Sequence, residues 1–147
     1  MPTIDKEIII NAPIDKVYNY INEPNNLPQI WPSLIEIKDK KLLPNGGYGF
    51  QWSYKMIGTY FEGTGAFTGY AQNQWISIKT AGALTSVLTW TFGAKDILQT
   101  KVTFNVDYKI PSPILRWLAG NTVVMMNEHE AKLILTNLKS ILEMKGK

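Results

Sequence analysis

The chain has 147 residues, 45% hydrophobic and 18% charged, the composition of one ordinary globular domain spanning 1–147. Its net charge of +3 includes only a short basic cluster, Lys38, Lys40 and Lys41, broken by Asp39. That is too weak a footprint for nucleic acid and reads as a solvated strand edge that discourages edge-to-edge pairing. With no cysteine, disulfides, thiolate nucleophiles and cysteine metal sites are excluded.

No run approaches the roughly 18 apolar residues of a membrane helix, and the N-terminal residues lack a signal-peptide core. A cytoplasmic protein without stable membrane insertion is expected. The aromatic content is high for this size: five Trp, seven Tyr and five Phe. Each ring buries about 150–250 Å², so these residues build either a heavy core or the wall of a cavity.

In chain order, Ile4, Lys6, Ile8 and Ile10 share one face of a first strand, which Asn11-Ala12-Pro13 breaks. Ile14, Val17, Tyr18 and Ile21 recur at helical spacing, predicting a short amphipathic helix over 13–22. Pro24 stops it, and 25–30 is a second short helix ended by Trp31-Pro32. The period then changes to two. Ile35 and Ile37 alternate with Glu36 and Lys38, and Pro44-Asn45-Gly46-Gly47 makes a turn. Tyr48, Phe50, Trp52, Tyr54 and Met56 occupy one face of the next strand.

A strand over 59–70 carries Phe61, Gly63, Gly65, Phe67 and Gly69 in phase. These glycines do not match a dinucleotide fingerprint, and within a strand they signal strong curvature. Further strands are expected over 75–80, then with Ser86, Leu88, Trp90 and Phe92 inward, with a hairpin turn at Gly93-Ala94-Lys95-Asp96. The cleanest alternation comes last: Val102, Phe104, Val106, Tyr108 and Ile110 against Lys101, Thr103, Asn105, Asp107 and Lys109. One buried and one wet face imply an antiparallel sheet.

A long helix is expected from about Ser112, as N-cap, to Glu143, with Pro113 in its first position. At about 100° per residue, Trp117, Gly120, Val124, Asn127, Ala131, Ile134, Leu135, Leu138 and Leu142 form its buried face. A single helix after a large sheet must cross the sheet's concave face, which implies a hollow body. Leu115, Leu118, Met125 and Met126 lie off that face and need cover from the rest of the domain, a second subunit in a homodimer, or a membrane surface touched in passing.

The stretch Lys6-Glu7-Ile8-Ile9-Ile10-Asn11-Ala12-Pro13-Ile14-Asp15-Lys16-Val17-Tyr18 resembles the opening of the START-like, Bet v 1-type (SRPBCC) superfamily. Leu27-Pro28-Gln29-Ile30-Trp31-Pro32-Ser33-Leu34 is similar to its next landmark. Trp90-x-Phe92 followed by Thr100-Lys101-Val102-Thr103 resembles its penultimate hairpin, and Leu138-Lys139-Ser140-Ile141-Leu142-Glu143 its ending. The resemblance spans nearly the whole chain and is nearest the polyketide cyclase/dehydrase-like and lipid-transport branch. It implies an α+β helix-grip fold: a curved antiparallel sheet of about seven strands, two short helices after the first strand, and a long C-terminal helix held in the sheet's grip. It also implies a lipid-like or polyketide-like guest between sheet and helix, and no single catalytic pattern carries over.

The inward rings Trp52, Phe61, Trp90, Phe92 and Phe104 are therefore the expected apolar contacts of a hydrophobic small molecule, with Tyr54, Tyr108 and Asn127 orienting its polar end. Asn127 either meets such a ligand or bonds strand groups, because a buried amide without a partner costs roughly 1–3 kcal/mol. His129, the one histidine, points off the buried face and is read as solvent- or partner-facing rather than as a general base. One histidine without a thiol gives no zinc site, and no catalytic residue, metal or cofactor is assigned. A helix across a curved sheet leaves room for an apolar site of order 300–1,000 Å³. Binding or transport is the leading expectation; a cyclase or dehydratase acting on a similar ligand and a protein-interaction module are the alternatives.

Overall fold

A computed structural model of the chain describes residues 3–56, 58–109 and 120–145, with side chains in the last stretch described from Glu128 to Met144. Strand β1 (Thr3–Ile10) leads into helix α1 (Ile14–Ile21), a 3₁₀ turn (Pro24–Asn26) and the single-turn helix α2 (Leu27–Ile30). Six strands follow: β2 (Leu34–Leu42), β3 (Tyr48–Met56), β4 (Thr59–Ala71), β5 (Trp75–Gly82), β6 (Thr85–Asp96) and β7 (Gln99–Lys109). Helix α3 (Gly120–Lys145) closes the chain's described part.

The seven strands form one antiparallel sheet in the order β1-β7-β6-β5-β4-β3-β2. Hairpins build it from β2 to β7, and β1 returns to pair with β7, Ile4 opposite Val106 and Ile10 opposite Thr100. The alternation of β7 holds through Tyr108, with Thr100, Val102, Phe104, Val106 and Tyr108 all buried, and Ile110 lies outside the described residues. Thr100 sits among apolar neighbours because its hydroxyl donates to Ala12 O at 2.8 Å, which also fixes the Ala12-Pro13 corner beneath the sheet.

The glycines of β4 do more than permit bending. Gly63 lies opposite Trp52 and Gly65 opposite Phe50 in the β3–β4 register. A Cβ on Gly63 would fall 2.2 Å from Ala81 O and 2.4 Å from the Trp52 ring, and one on Gly65 would fall 2.5 Å from the Phe50 ring. Bare backbone lets those two rings lie flat along the concave face, where they form wall rather than filling. A register shift between Phe67 and Gly69 adds to the irregularity of the same strand.

One turn differs from expectation. Gly93-Ala94-Lys95-Asp96 continues strand β6: Gly93 pairs with Lys101, Ala94 with Thr100 and Asp96 with Gln99 after a register shift. The hairpin tip is Ile97-Leu98, where Asp96 Oδ1 accepts from Leu98 N at 2.8 Å and supplies the turn chemistry. Both apolar tip residues are exposed, at 87% and 64%.

Helix α3 runs along β1 and α2. Asn137 Nδ2 donates to Ile30 O at 3.0 Å, Lys139 Nζ donates to Ile9 O at 3.0 Å, and Asn11 N donates to Glu143 Oε2 at 2.9 Å. Its expected inner residues Ala131, Ile134, Leu135, Leu138 and Leu142 are buried in the common core. The Ser112 cap, Pro113 and Trp117 lie outside the described residues, as do the side chains of Val124, Asn127, Met125 and Met126 and the apolar segment around Leu115 and Leu118.

Candidate functional site

Between the concave face and α3 lies a cavity of about 120 Å³, smaller than the range the sequence suggested. Its wall is mostly apolar and is drawn from β1, α2, β2, β3, β5, β6, β7 and α3, so nearly every element contributes. Exposed Thr85 and Lys109 among the lining residues put its mouth beside the β5–β6 turn.

Of the residues expected to meet a ligand, Trp52, Tyr54, Phe104 and Tyr108 line this cavity. Phe61, Trp90 and Phe92 are buried in the core and lie outside its lining. Trp90 packs against Phe104 with ring centroids 4.2 Å apart, backing the wall, and Phe92 meets Tyr18 of α1 edge-on at 5.4 Å. The Asn127 side chain is outside the described residues. His129 is exposed, as its place on the helical wheel predicts.

The residue that sequence reasoning passed over is Glu130. It lines the cavity, and its carboxylate gathers three donors from three separate segments. Trp31 Nε1, at the end of α2, donates to Oε1 at 2.8 Å; Tyr54 OH, on β3, donates to the same oxygen at 2.5 Å; Ser33 Oγ, just before β2, donates to Oε2. Trp31 also meets Tyr54 and Phe104 edge-on, at 6.4 and 5.7 Å, so the carboxylate sits in an aromatic corner. A signal was present in the sequence: Glu130, Ile134, Leu138 and Leu142 recur at intervals of four, which places the acid on the border of the buried face.

Burial holds the Tyr54 phenol well above its ordinary pKa, and the adjacent Glu130 charge and hydrogen bond push it further the same way. Tyr54 is therefore a fixed donor at neutral pH and a poor proton source. A carboxylate has about four lone-pair positions, so the three donors among the described residues leave Glu130 roughly one for a guest.

A second polar region lies across β5, β6 and β7. Thr80 is opposite Ser86, and Ser86 is opposite Tyr108, so three hydroxyls form a row on the cavity wall. Thr80 and Ser86 bond each other at 2.6 Å. The Tyr108 hydroxyl is buried and has no partner among the described residues. No cluster of three or more metal-ligating side chains occurs among the described residues, and no described helix is long and apolar enough to cross a membrane.

The family described as polyketide cyclase/dehydrase and lipid transport matches residues 1–143. Among curated proteins none matches the chain by sequence. Solved structures resemble it closely in fold. TTHA0849 from Thermus thermophilus superposes with a TM-score of 0.78 at 18% identity, covering 99% of this chain and 100% of that one. The Zhui aromatase/cyclase from Streptomyces sp. R1128 gives 0.77 at 13% identity, covering 99% and 96%. A START superfamily protein from Mycobacterium smegmatis gives 0.70 at 16% identity, covering 95% and 98%. At these identities the likeness is one of fold: the START-like helix-grip architecture.

Proposed function

This chain belongs to the polyketide cyclase/dehydrase and lipid transport family, and from that premise we propose that it binds a hydrophobic small molecule in the cavity between its sheet and α3. The observation that carries the reading is a hollow with an apolar wall and two separate polar features, Glu130 with its donors and the Tyr108 hydroxyl, which has no partner among the described residues. Apolar burial at about 25 cal/mol per Å² supplies most of the affinity. Trp52, Tyr54, Phe104 and Tyr108 are the proposed contacts, with Phe61, Trp90 and Phe92 fixing the wall from behind. A lipid-length guest requires the cavity to widen, because about 120 Å³ is below the roughly 150 Å³ of a cavity that holds one benzene ring.

Native mass spectrometry of gently purified protein, followed by addition of apolar probes, tests this reading and reports assembly in the same spectrum. A retained or added mass is expected. Protein that is always empty and takes up no apolar probe overturns the proposal.

A second reading, a cyclase or dehydratase on a similar ligand, is favoured by one observation: a carboxylate within the cavity wall. The Zhui relative is described as an aromatase/cyclase. Against it, Glu130 already serves three donors and Tyr54 holds its proton tightly, so neither is poised for proton transfer. Turnover of a polyketide-like substrate that vanishes in Glu130→Gln would establish this second reading instead.

A further inference from the structure

We propose that the preferred guest is a small apolar amine bound as its ammonium ion, with Glu130 as its counter-ion; the proposal rests on the reading of this cavity as a site for apolar molecules. Among the described residues, every group that bonds the Glu130 carboxylate is neutral: an indole N–H, a serine hydroxyl and a phenol. The ion pairs among the described residues use Glu7, Glu23, Glu128 and Glu143, and none uses Glu130. A carboxylate drawn into an apolar wall is ordinarily matched by a positive charge. Here the three donors orient it, and the matching cation is left for a guest to supply.

The surroundings are aromatic. Trp31 stands nearly perpendicular to Tyr54 and to Phe104, with interplanar angles of 83° and 88°, so these rings make a corner instead of a flat stack. Aromatic faces attract ammonium groups through their quadrupoles, most strongly where water is excluded. A neutral alcohol fills the one remaining lone-pair position equally well, since it too brings a single donor. It leaves the carboxylate's charge unmatched and gains nothing from the ring faces. Electrostatics therefore separates two guests that hydrogen bonding alone does not.

One charge works against the idea. Lys109 lines the cavity's edge and repels an incoming cation. It is exposed at the mouth, whereas Glu130 is half-buried, so solvent screens the repulsion more than the attraction. Size narrows the class further. A cavity near 150 Å³ holds a benzene ring, and this one is about 120 Å³, which limits the guest to an amine carrying at most one ring, reached by a small shift of the wall, or an equivalent short chain.

Trp31 and Trp52 both line the cavity, so tryptophan fluorescence reports its occupancy. Benzylamine, benzyl alcohol and toluene are titrated against the full chain at pH 7, and against Glu130→Gln. In the unmodified protein benzylamine is expected to bind at least about tenfold more tightly than benzyl alcohol. In Glu130→Gln that ratio falls to about one, while affinities for benzyl alcohol and toluene change less than about threefold. Equal binding of amine and alcohol by the unmodified protein overturns the proposal, as does a tenfold preference that survives Glu130→Gln. If the variant does not fold, as its melting curve shows, the ratio in the unmodified protein decides alone. Alcohol and toluene bound without amine preference sinks only the ammonium assignment; failure of all three to bind, with no mass retained in native spectra, removes the apolar-cavity reading beneath it.

Discussion

The two polar regions of the cavity wall are built on opposite principles. Around Glu130, α2, the start of β2, β3 and α3 converge, and one acceptor serves three donors. Along β5, β6 and β7, hydroxyls stand in register across neighbouring strands; two satisfy each other, and the third, Tyr108, has no partner among the described residues. The first region ties together segments 76 to 99 residues apart in sequence, so it locks the helix to the sheet. The second is internal to the sheet and locks nothing. The contrast teaches that polarity in one cavity can be structural at one place and left open at another, and substitutions should separate the two by the sign of their effect.

The largest effect is expected from Glu130→Leu. It strands Trp31 Nε1, Ser33 Oγ and Tyr54 OH together, at about 1 kcal/mol for each part-buried donor left without an acceptor. A loss near about 3 kcal/mol in urea denaturation is the expected result. Ser33→Ala, which removes one donor and leaves the acceptor served twice, should lose only about 1 kcal/mol. Equal losses in the two variants would show that the carboxylate is not the shared centre of the network.

A smaller and pH-dependent effect belongs to Tyr54. The folded state holds its phenol proton more tightly than the unfolded chain does, where the usual value of 10.0 applies. Its contribution is thus fully present below about pH 10 and is lost as pH rises above that value toward the folded one, by up to about 1.4 kcal/mol per pH unit. Tyr18 and Tyr20 are also raised by burial and add to the same alkaline slope. Tyr54→Phe should therefore flatten the decline in stability between about pH 10 and 11 without abolishing it. An unchanged slope would mean that Tyr54 does not hold its proton against the Glu130 charge.

Much of this fold was legible because one face of each strand is wet. The alternation of β7 identified Val102, Phe104, Val106 and Tyr108 as inward, and all are buried. Alternation fixes a face, however, and not what lies above it. Phe104 and Trp52 border the cavity while Trp90, equally inward on the adjacent strand, is packed behind Phe104. That distinction depends on where α3 crosses, which no local pattern records. The same limit hid the Glu130 centre, whose three partners come from distant segments and meet only after the sheet has closed around the helix. At Gly93-Ala94 the local turn signal was overruled by ladder bonds to β7, which pushed the hairpin tip on to Ile97-Leu98.

The smallest change in magnitude is the most informative in sign. Tyr108→Phe removes a buried hydroxyl that has no partner among the described residues, while the ring keeps its place on the cavity wall. Desolvating an unbonded hydroxyl costs free energy in the folded state alone, so its removal should leave stability unchanged or raise it by up to about 1 kcal/mol. The matching substitution in the other region, Tyr54→Phe, deletes a hydrogen bond to a carboxylate and should cost about 1 kcal/mol at neutral pH. Two Tyr→Phe changes in one cavity, read by the same urea titration, would then move in opposite directions. A loss of about 1 kcal/mol or more in Tyr108→Phe would place a bonding partner at that hydroxyl and erase the contrast, because both regions would be structural and the cavity would hold no open polar position on the β5–β7 side.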